Sequence, residues 1–473
     1  MYENKSHNNT IWLFVSSCWL IFSLILAKIH ENATTIEPHN VLVVANVVSY
    51  VLCLYGWIKS GNRVISIYLF FVAYLFFSTI AQSVLYALGF SWGIAQLYNE
   101  YTLQQMNEYL CFNLTCIAAF NMGTALVVYK KSNCVTMESL VKYYCSRRYA
   151  NNGSAESAFL TILTAVVWIY EILFATRLLL MRQTMTYSEV YENASEVGGS
   201  LGSYISYIAL FLALINILQK KNVKWMYACL LLTATIFMLV GTRSRSIVLI
   251  SIILITLPMV KPQWFKKKYM IGWFGVAVLF FGGLSVITSS RSSQLGSNTS
   301  ASMDTFEDVS PVVSTMMEMG ASAKTVVLTM EAVDAGFPHH QTILYSTLNA
   351  IIPGFNYTGV LANEYLQLAG WVTDYANSLF SGLGYSIIAE AYMNYGRYGW
   401  IFMILYGFIL AYAEIFAYKK YRTGEYLIPV ILLLLLSKNV FSVRGELALL
   451  IGYVRMAIYI LIITLFYKSI KRW

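Results

Sequence analysis

About twelve apolar runs, most of them near the length of a membrane-crossing helix, divide this 473-residue chain and leave few folds open to it. An α-helix rises ~1.5 Å per residue, so roughly 20 apolar residues cross the hydrocarbon core. In lipid only a helix or a closed barrel can satisfy its own backbone groups. The runs fall at about 11–29, 39–58, 64–89, 108–129, 157–180, 199–218, 225–241, 246–260, 270–288, 398–417, 426–441 and 448–467. Charged residues make up 12% of the chain and mean hydropathy is +0.60, whereas a soluble domain carries about 25% charged residues. So few charges cannot clothe a water-facing surface. The expected fold is all-α, a polytopic membrane bundle of about 12 transmembrane helices.

Orientation follows from the basic residues. With Lys5, the loops Lys59–Arg63, Lys130–Arg148, Lys220–Lys224, Lys261–Lys268, Lys419–Arg422 and Lys468–Arg472 hold 21 of the 32 Lys and Arg residues. These are alternate loops, so they mark the cytoplasmic side and put both termini there. The net charge of +9 is spread over loops rather than gathered in a basic stripe, so nucleic acid is not an expected partner. Residues 11–29 lack a small-residue cleavage site and precede eleven further runs, which makes them a retained first helix. The seven cysteines show no CxxC spacing and none lies in the long outer loop, so neither a disulfide framework nor a metal centre is expected.

The chain then divides into 1–288 with the first nine spans, an outer loop at 289–397, and 398–473 with the last three. A loop that long is usually functional. Within it Pro311 opens an apolar periodicity through Val312, Val313, Met316, Val327, Met330 and Val333, closed by Gly336 and Pro338. This reads as an amphipathic helix, either lying on the membrane surface or packed as a cap on the bundle. A second short helix is expected near 361–369.

Arginine and lysine are distributed unequally. The cytoplasmic set has 16 Lys and 5 Arg, while the outer half has only Lys28, Lys324 and Lys438 beside eight arginines. Lysine suffices to fix orientation. Arginine grips phosphate better, because its planar fork donates parallel hydrogen bonds and stays charged when partly buried. Arg243 and Arg245, in Gly241-Thr242-Arg243-Ser244-Arg245-Ser246, stand at the outer start of a span. A cation there opposes the helix dipole, whereas the same free N–H groups attract an anion. The bland alternative is snorkelling to the interface. Arg444 occupies the equivalent place before the last span, with Glu446 as a possible local partner, and Arg291 follows the ninth span. Arg177 and Arg455 lie within spans and are expected to face the interior, where Glu171 could pair with them.

Just before the tenth span, Ser386, Glu390, Asn394 and Arg397 are four, four and three residues apart, one stripe on a helix. Glu390 among apolar neighbours suits a general base, or a structural contact with Arg397. His339 and His340 in the outer loop could orient a sugar or act as a base. The outer-loop aromatics Tyr357, Tyr365, Trp371, Tyr375 and Tyr385 suit sugar rings or an interfacial belt. There is no P-loop, dinucleotide fingerprint, HExxH or DxD, so a metal-held nucleotide sugar is not expected.

Two stretches carry a resemblance. One is Gly241-Thr242-Arg243-Ser244-Arg245 followed by an apolar span. The other runs from Asn377-Ser378-Leu379-Phe380-Ser381-Gly382-Leu383-Gly384-Tyr385-Ser386 to Ala389-Glu390-Ala391-Tyr392-Met393-Asn394-Tyr395-Gly396 and Gly399. With the span count and the late outer loop, the chain resembles the O-antigen polymerases over nearly its whole length. The resemblance implies a GT-C-like membrane glycosyltransferase of the bacterial inner membrane with a large periplasmic loop, acting on undecaprenyl-pyrophosphate-linked oligosaccharides and needing no cofactor. A chain-length regulator and a flippase are implied partners in the membrane. On that reading Arg243, Arg245 and Arg444 bind pyrophosphate, Arg291 and Arg397 assist, and Glu390 or His340 is the base. A ligase would share the donor, and a flippase would also need cations for the carrier, although it should show a charged path through both leaflets.

Overall fold

The structure, a computed structural model, describes residues 2–62, 65–90, 97–130, 155–185, 205–240, 243–265, 311–337, 342–344, 384–450 and 453–459, with single positions at 348, 352, 372, 461 and 462. The described residues form helices and turns, with no strand among them. In chain order the helices are α1 (Tyr2–His30), α2 (Ile36–Lys59), α3 (Ile67–Thr79), α4 (Ala81–Ala87), α5 (Leu97–Glu100), α6 (Leu103–Lys130) and α7 (Ala155–Met181). Then follow α8 (Ile205–Leu218), α9 (Val223–Val240), α10 (Arg243–Val260), α11 (Pro311–Gly320), α12 (Lys324–Asp334), α13 (Ile387–Tyr395), α14 (Gly399–Arg422), α15 (Leu427–Asn439) and α16 (453–459). The chain separates into two units, one of Met1–Thr136, Ser297–Ile415 and Ser442–Leu449, the other of Met137–Gly296, Phe416–Phe441 and Leu450–Trp473.

Among the described residues six helical stretches are long and apolar enough to cross a bilayer, or seven if α3 and α4, bent by 56°, form one broken span. The shorter apolar helices Ile205–Leu218, Arg245–Val260 and Leu427–Val443 coincide with three further expected runs. The run expected at about 270–288 lies outside the described residues.

The first unit is built on α6, which buries side chains along its whole length. Lipid offers no hydrophobic force between helices, so small residues and interhelical hydrogen bonds must hold them together. The sequence of α6 supplies both. Asn107 binds His39 Nδ1 through its Oδ1 at 2.9 Å and donates to the Ala33 carbonyl at 2.9 Å. Asn113 donates to Asn46 Oδ1 at 2.8 Å, and Asn121 donates to Ser16 Oγ at 3.1 Å. On the side toward α14, a Cβ on Gly123 would lie 1.9 Å from the Ile404 carbonyl oxygen, and one on Gly407 would lie 2.2 Å from that of Phe120. Only glycine permits this reciprocal approach. The outward stripes are apolar, with Phe14, Ile21 and Ile25 exposed on α1 and Ile401, Leu405 and Ile409 exposed on α14.

The α3–α4 bend frees the Thr79 carbonyl, and the Tyr109 hydroxyl donates to it at 2.7 Å. Gln82, on α4, donates to the Met317 carbonyl at 2.7 Å and accepts from the Leu97 N–H at 3.0 Å, which anchors α11. The helix expected from Pro311 to Val333 is two helices joined by a 3-10 turn at Ala321–Ala323. Gly336, at φ 97°, ends it: its N–H reaches the Val333 carbonyl at 3.0 Å and Phe337 N–H the Ala332 carbonyl at 2.9 Å. Thr325, Val326, Val327, Leu328, Thr329 and Met330 are all buried, so α12 is a cap packed on protein. The short helix expected near 361–369 lies outside the described residues.

The second unit packs α7 to α10 with α15 and α16. Asn216 of α8 donates to Thr164 of α7 at 3.1 Å. Ser246 of α10 donates to the Ala234 carbonyl of α9 at 2.9 Å, linking the two helices.

Gly123→Ala and Gly407→Ala each force a methyl into a neighbouring carbonyl, and overpacking of this kind costs about 1–3 kcal/mol. Each variant should unfold at a lower temperature than wild type in detergent micelles. Unchanged midpoints for both would show that α6 and α14 do not meet at these glycines.

Candidate functional site

In the first unit, Ser386 caps α13, its Oγ accepting the Ile388 N–H at 3.2 Å. One turn on, Glu390 is fully buried. Its Oε2 accepts the Leu447 N–H at 2.8 Å and its Oε1 accepts from the Thr342 hydroxyl at 3.3 Å. Asn394 donates to Thr342 Oγ1 at 2.8 Å and to the Glu390 carbonyl at 2.7 Å, and accepts the Ile343 N–H at 3.0 Å. The polar stripe read from sequence is therefore a clamp. It joins α13 to residues 342–343 and to the turn that carries Arg444. A second contact fixes that turn: the Arg444 carbonyl accepts the Tyr385 N–H at 3.3 Å beside Gly384. Gly384 sits at φ 75°, where a Cβ would come within 2.9 Å of the same oxygen.

Arg397 does not extend the stripe. Gly396, at φ 54°, ends α13 and turns Arg397 into a 3-10 segment, where it pairs with Glu31 rather than Glu390. Lys28 pairs with the same Glu31 at 3.1 Å. Arg444 is half-buried, and no ion pair with Glu446 is present among the described residues.

The second unit holds a different cluster. The first turn of α10 aims Arg245 inward, its guanidinium 5.2 Å from the ring centroids of both Phe174 on α7 and Phe237 on α9. Its Nη1 is buried without a hydrogen-bond partner among the described residues. Glu171, buried on α7, acts on this charge but spends its Oε2 on the Ser206 hydroxyl at 2.8 Å. Lys438 on α15 lies 5.3 Å from the rings of Phe441 and Tyr453, and Arg245 acts on it as a like charge. Tyr453 packs on Tyr207 at 4.3 Å. Sequence reading missed Lys438 and Tyr453 as members of a site. The signal was available for Lys438: it is one of only three lysines outside the loops expected to face the cytoplasm, and it follows a run of leucines.

Arg243 is placed in the backbone of α10, at its first residue, and its side chain lies outside the described positions. Arg291, His339 and His340 lie outside the described residues. Arg177, expected to face the interior, is exposed, because α7 turns Glu171 and Phe174 inward and Arg177 away from them. Arg455 is half-buried. Among the described residues no group of three His, Cys, Asp or Glu side chains is placed to hold a metal ion. A cavity of about 170 Å³ in the first unit is lined by Gln105, Glu108, Val327, Met330, Glu331 and Asp334. Gln105 donates to Glu331, Tyr392 donates to Asp334 at 2.9 Å, and partial burial raises the pKa of Glu331.

All-helical units with several bilayer-length apolar helices, bonded to one another through buried amides, define a multi-pass membrane protein. The family described as O-antigen polysaccharide polymerase Wzy matches residues 10–473, nearly the whole chain, and the chain belongs to that family. Membership assigns it to O-antigen polymerisation as a glycosyltransferase-like enzyme. No curated protein and no solved structure matches the chain.

Removing the clamp leaves the half-buried Leu447 N–H and the buried Thr342 hydroxyl without that acceptor, a cost of up to about 1–3 kcal/mol each. Glu390→Ala should lower the unfolding midpoint in micelles well below that of Glu390→Gln, which keeps an acceptor oxygen; equal midpoints would contradict the clamp. Glu331 gives a pH signature. Its folded pKa is raised above the ordinary 4.5, so ionisation opposes the fold and stability falls as pH rises through that window. Thermal unfolding from pH 4 to pH 7 should show this loss in wild type and not in Glu331→Gln.

Proposed function

We propose that the protein polymerises undecaprenyl-pyrophosphate-linked oligosaccharide repeat units at the periplasmic face of the bacterial inner membrane, through about twelve spans arranged in a GT-C-like bundle. Family membership supports the polymerase class. The single observation that carries the site is Arg245, a guanidinium wedged between two aromatic rings with a buried nitrogen that no described residue satisfies. A pyrophosphate supplies the acceptor oxygens that this nitrogen lacks.

In this reading residues 289–397 form the periplasmic loop over the substrates. Arg243 and Arg245 hold pyrophosphate in the second unit. Arg444 does so in the first, its turn fixed by Glu390 and Tyr385. Arg291 assists, and Arg397 can assist only by exchanging Glu31 for the ligand. An acceptor hydroxyl attacks the anomeric carbon of the donor, the bond from that carbon to the pyrophosphate oxygen breaks, and undecaprenyl pyrophosphate leaves with the bonding electrons. The growing charge is met by fixed guanidinium groups without a metal. The hydroxyl proton passes to a base. Of the two candidates His340 takes that role, and Glu390, its oxygens already engaged, acts as a positioning residue. A flippase and a chain-length regulator are the membrane partners this reaction calls for.

A deletion strain should accumulate lipid A core bearing a single repeat, whereas loss of a ligase leaves bare core and loss of a flippase abolishes surface repeats. Complementation with Arg243→Lys or Arg245→Ala should then fail to restore the long-chain ladder on a silver-stained gel. Ladders of normal intensity from both variants at equal protein levels would contradict the reading.

A further inference from the structure

Lys438 has no role in the reaction as set out above, and its position is costly. It stands at the end of α15, after Ile431-Leu432-Leu433-Leu434-Leu435-Leu436-Ser437. A lysine near a helix end ordinarily extends its stem and puts its ammonium in water. Here the ammonium is turned against two aromatic rings instead, 5.3 Å from Phe441 and from Tyr453. Arg245 repels it. Two half-buried cations thus share the second unit, and Glu171, the carboxylate that acts on Arg245, is bonded to Ser206. In a weakly polar interior, repulsion between like charges is several times stronger than in water. Cation–π contacts with four rings offset part of that cost, but they supply no hydrogen-bond acceptor for the buried Arg245 nitrogen. A dianionic group bonded to both cations would relieve the repulsion and satisfy the nitrogen together. The aromatic rings around the two cations are the surroundings an apolar lipid tail tolerates.

We infer that Lys438 is the second cation of the anion site at Arg245, and that the pair takes the pyrophosphate of a polyprenyl carrier with Tyr453 beside it as a hydroxyl donor. The inference rests on the reading that Arg245 holds pyrophosphate and adds the residue that makes the site selective for two phosphates over one. It also fixes the sign of a stability effect. In the empty protein the ammonium at 438 is a net cost, so an apolar side chain of the same length should stabilise the fold while removing the binding.

The test uses the full chain purified in detergent micelles, with undecaprenyl pyrophosphate as the probe and undecaprenyl monophosphate and phosphatidylglycerol as the alternative anions. The wild-type unfolding midpoint should rise with undecaprenyl pyrophosphate, less with the monophosphate, and not with phosphatidylglycerol. Lys438→Met should unfold at the wild-type midpoint or above it without ligand and bind the pyrophosphate at least about tenfold more weakly, the worth of one charge-assisted hydrogen bond. Lys438→Arg should recover most of the affinity. A Lys438→Met protein of lower midpoint that keeps the full ligand-induced rise makes Lys438 a packing residue and overturns the inference. An equal rise with phosphatidylglycerol also overturns it, because the site would then read any lipid headgroup. The Arg245→Ala protein separates the two levels: if it loses the rise while Lys438→Met keeps it, only the role of Lys438 falls. If Arg245→Ala keeps the rise as well, the pyrophosphate site itself falls.

Discussion

Helices in lipid gain nothing by hiding apolar surface from one another, so each contact between them must come from close approach or from hydrogen bonds. That constraint organises the first unit. Gly123 and Gly407 let two backbones approach at a spacing any side chain would forbid, and the asparagines of α6 reach across to Ala33, Asn46 and Ser16. Where a helix breaks, at Thr79, the freed carbonyl is taken by a tyrosine from the same central helix. Nearly every buried polar group discussed in that unit has a partner on another helix.

In the second unit two cations form a cluster of a different kind. Arg245 and Lys438 sit among aromatic rings as like charges, and among the described residues a guanidinium nitrogen has no hydrogen-bond partner. Buried charge of this kind destabilises a membrane protein unless a ligand compensates it, and charged side chains inside membrane bundles commonly mark ligand or ion sites. The contrast with Glu390 is instructive. Glu390 is buried more deeply than either cation, yet its oxygens meet an N–H and a hydroxyl, so it holds structure together. The Glu390 carboxylate is satisfied within the protein, whereas Arg245 Nη1 has no hydrogen-bond partner among the described residues.

The fold class was legible because the apolar runs are long. The end of the helical stretch from Pro311 was legible because its stop signal is local, a glycine in the left-handed region, whereas the 3-10 break at Ala321–Ala323 was not. The sites were half legible. Ser386, Glu390 and Asn394 share a face as their spacing requires, but their partners Thr342 and Leu447 are 48 and 57 residues from Glu390 in the chain, which no periodicity reveals. Arg397 left the stripe because Gly396 turned the backbone, and its partner Glu31 is 366 residues away. Arg177 faced outward because α7 is apolar on every side, so its sequence does not say which face is inner. Lys438 was visible as a lysine outside the loops expected to face the cytoplasm, but only packing shows its ammonium turned onto aromatic rings.

The most direct test of the central claim is a cryo-EM map of the full chain in nanodiscs with undecaprenyl pyrophosphate added. The account predicts density for two phosphates within hydrogen-bonding reach of Arg245 and Lys438, with the prenyl chain leaving past Phe174 and Phe237. A map in which the carrier binds elsewhere while Arg245 closes onto Glu171 would contradict it.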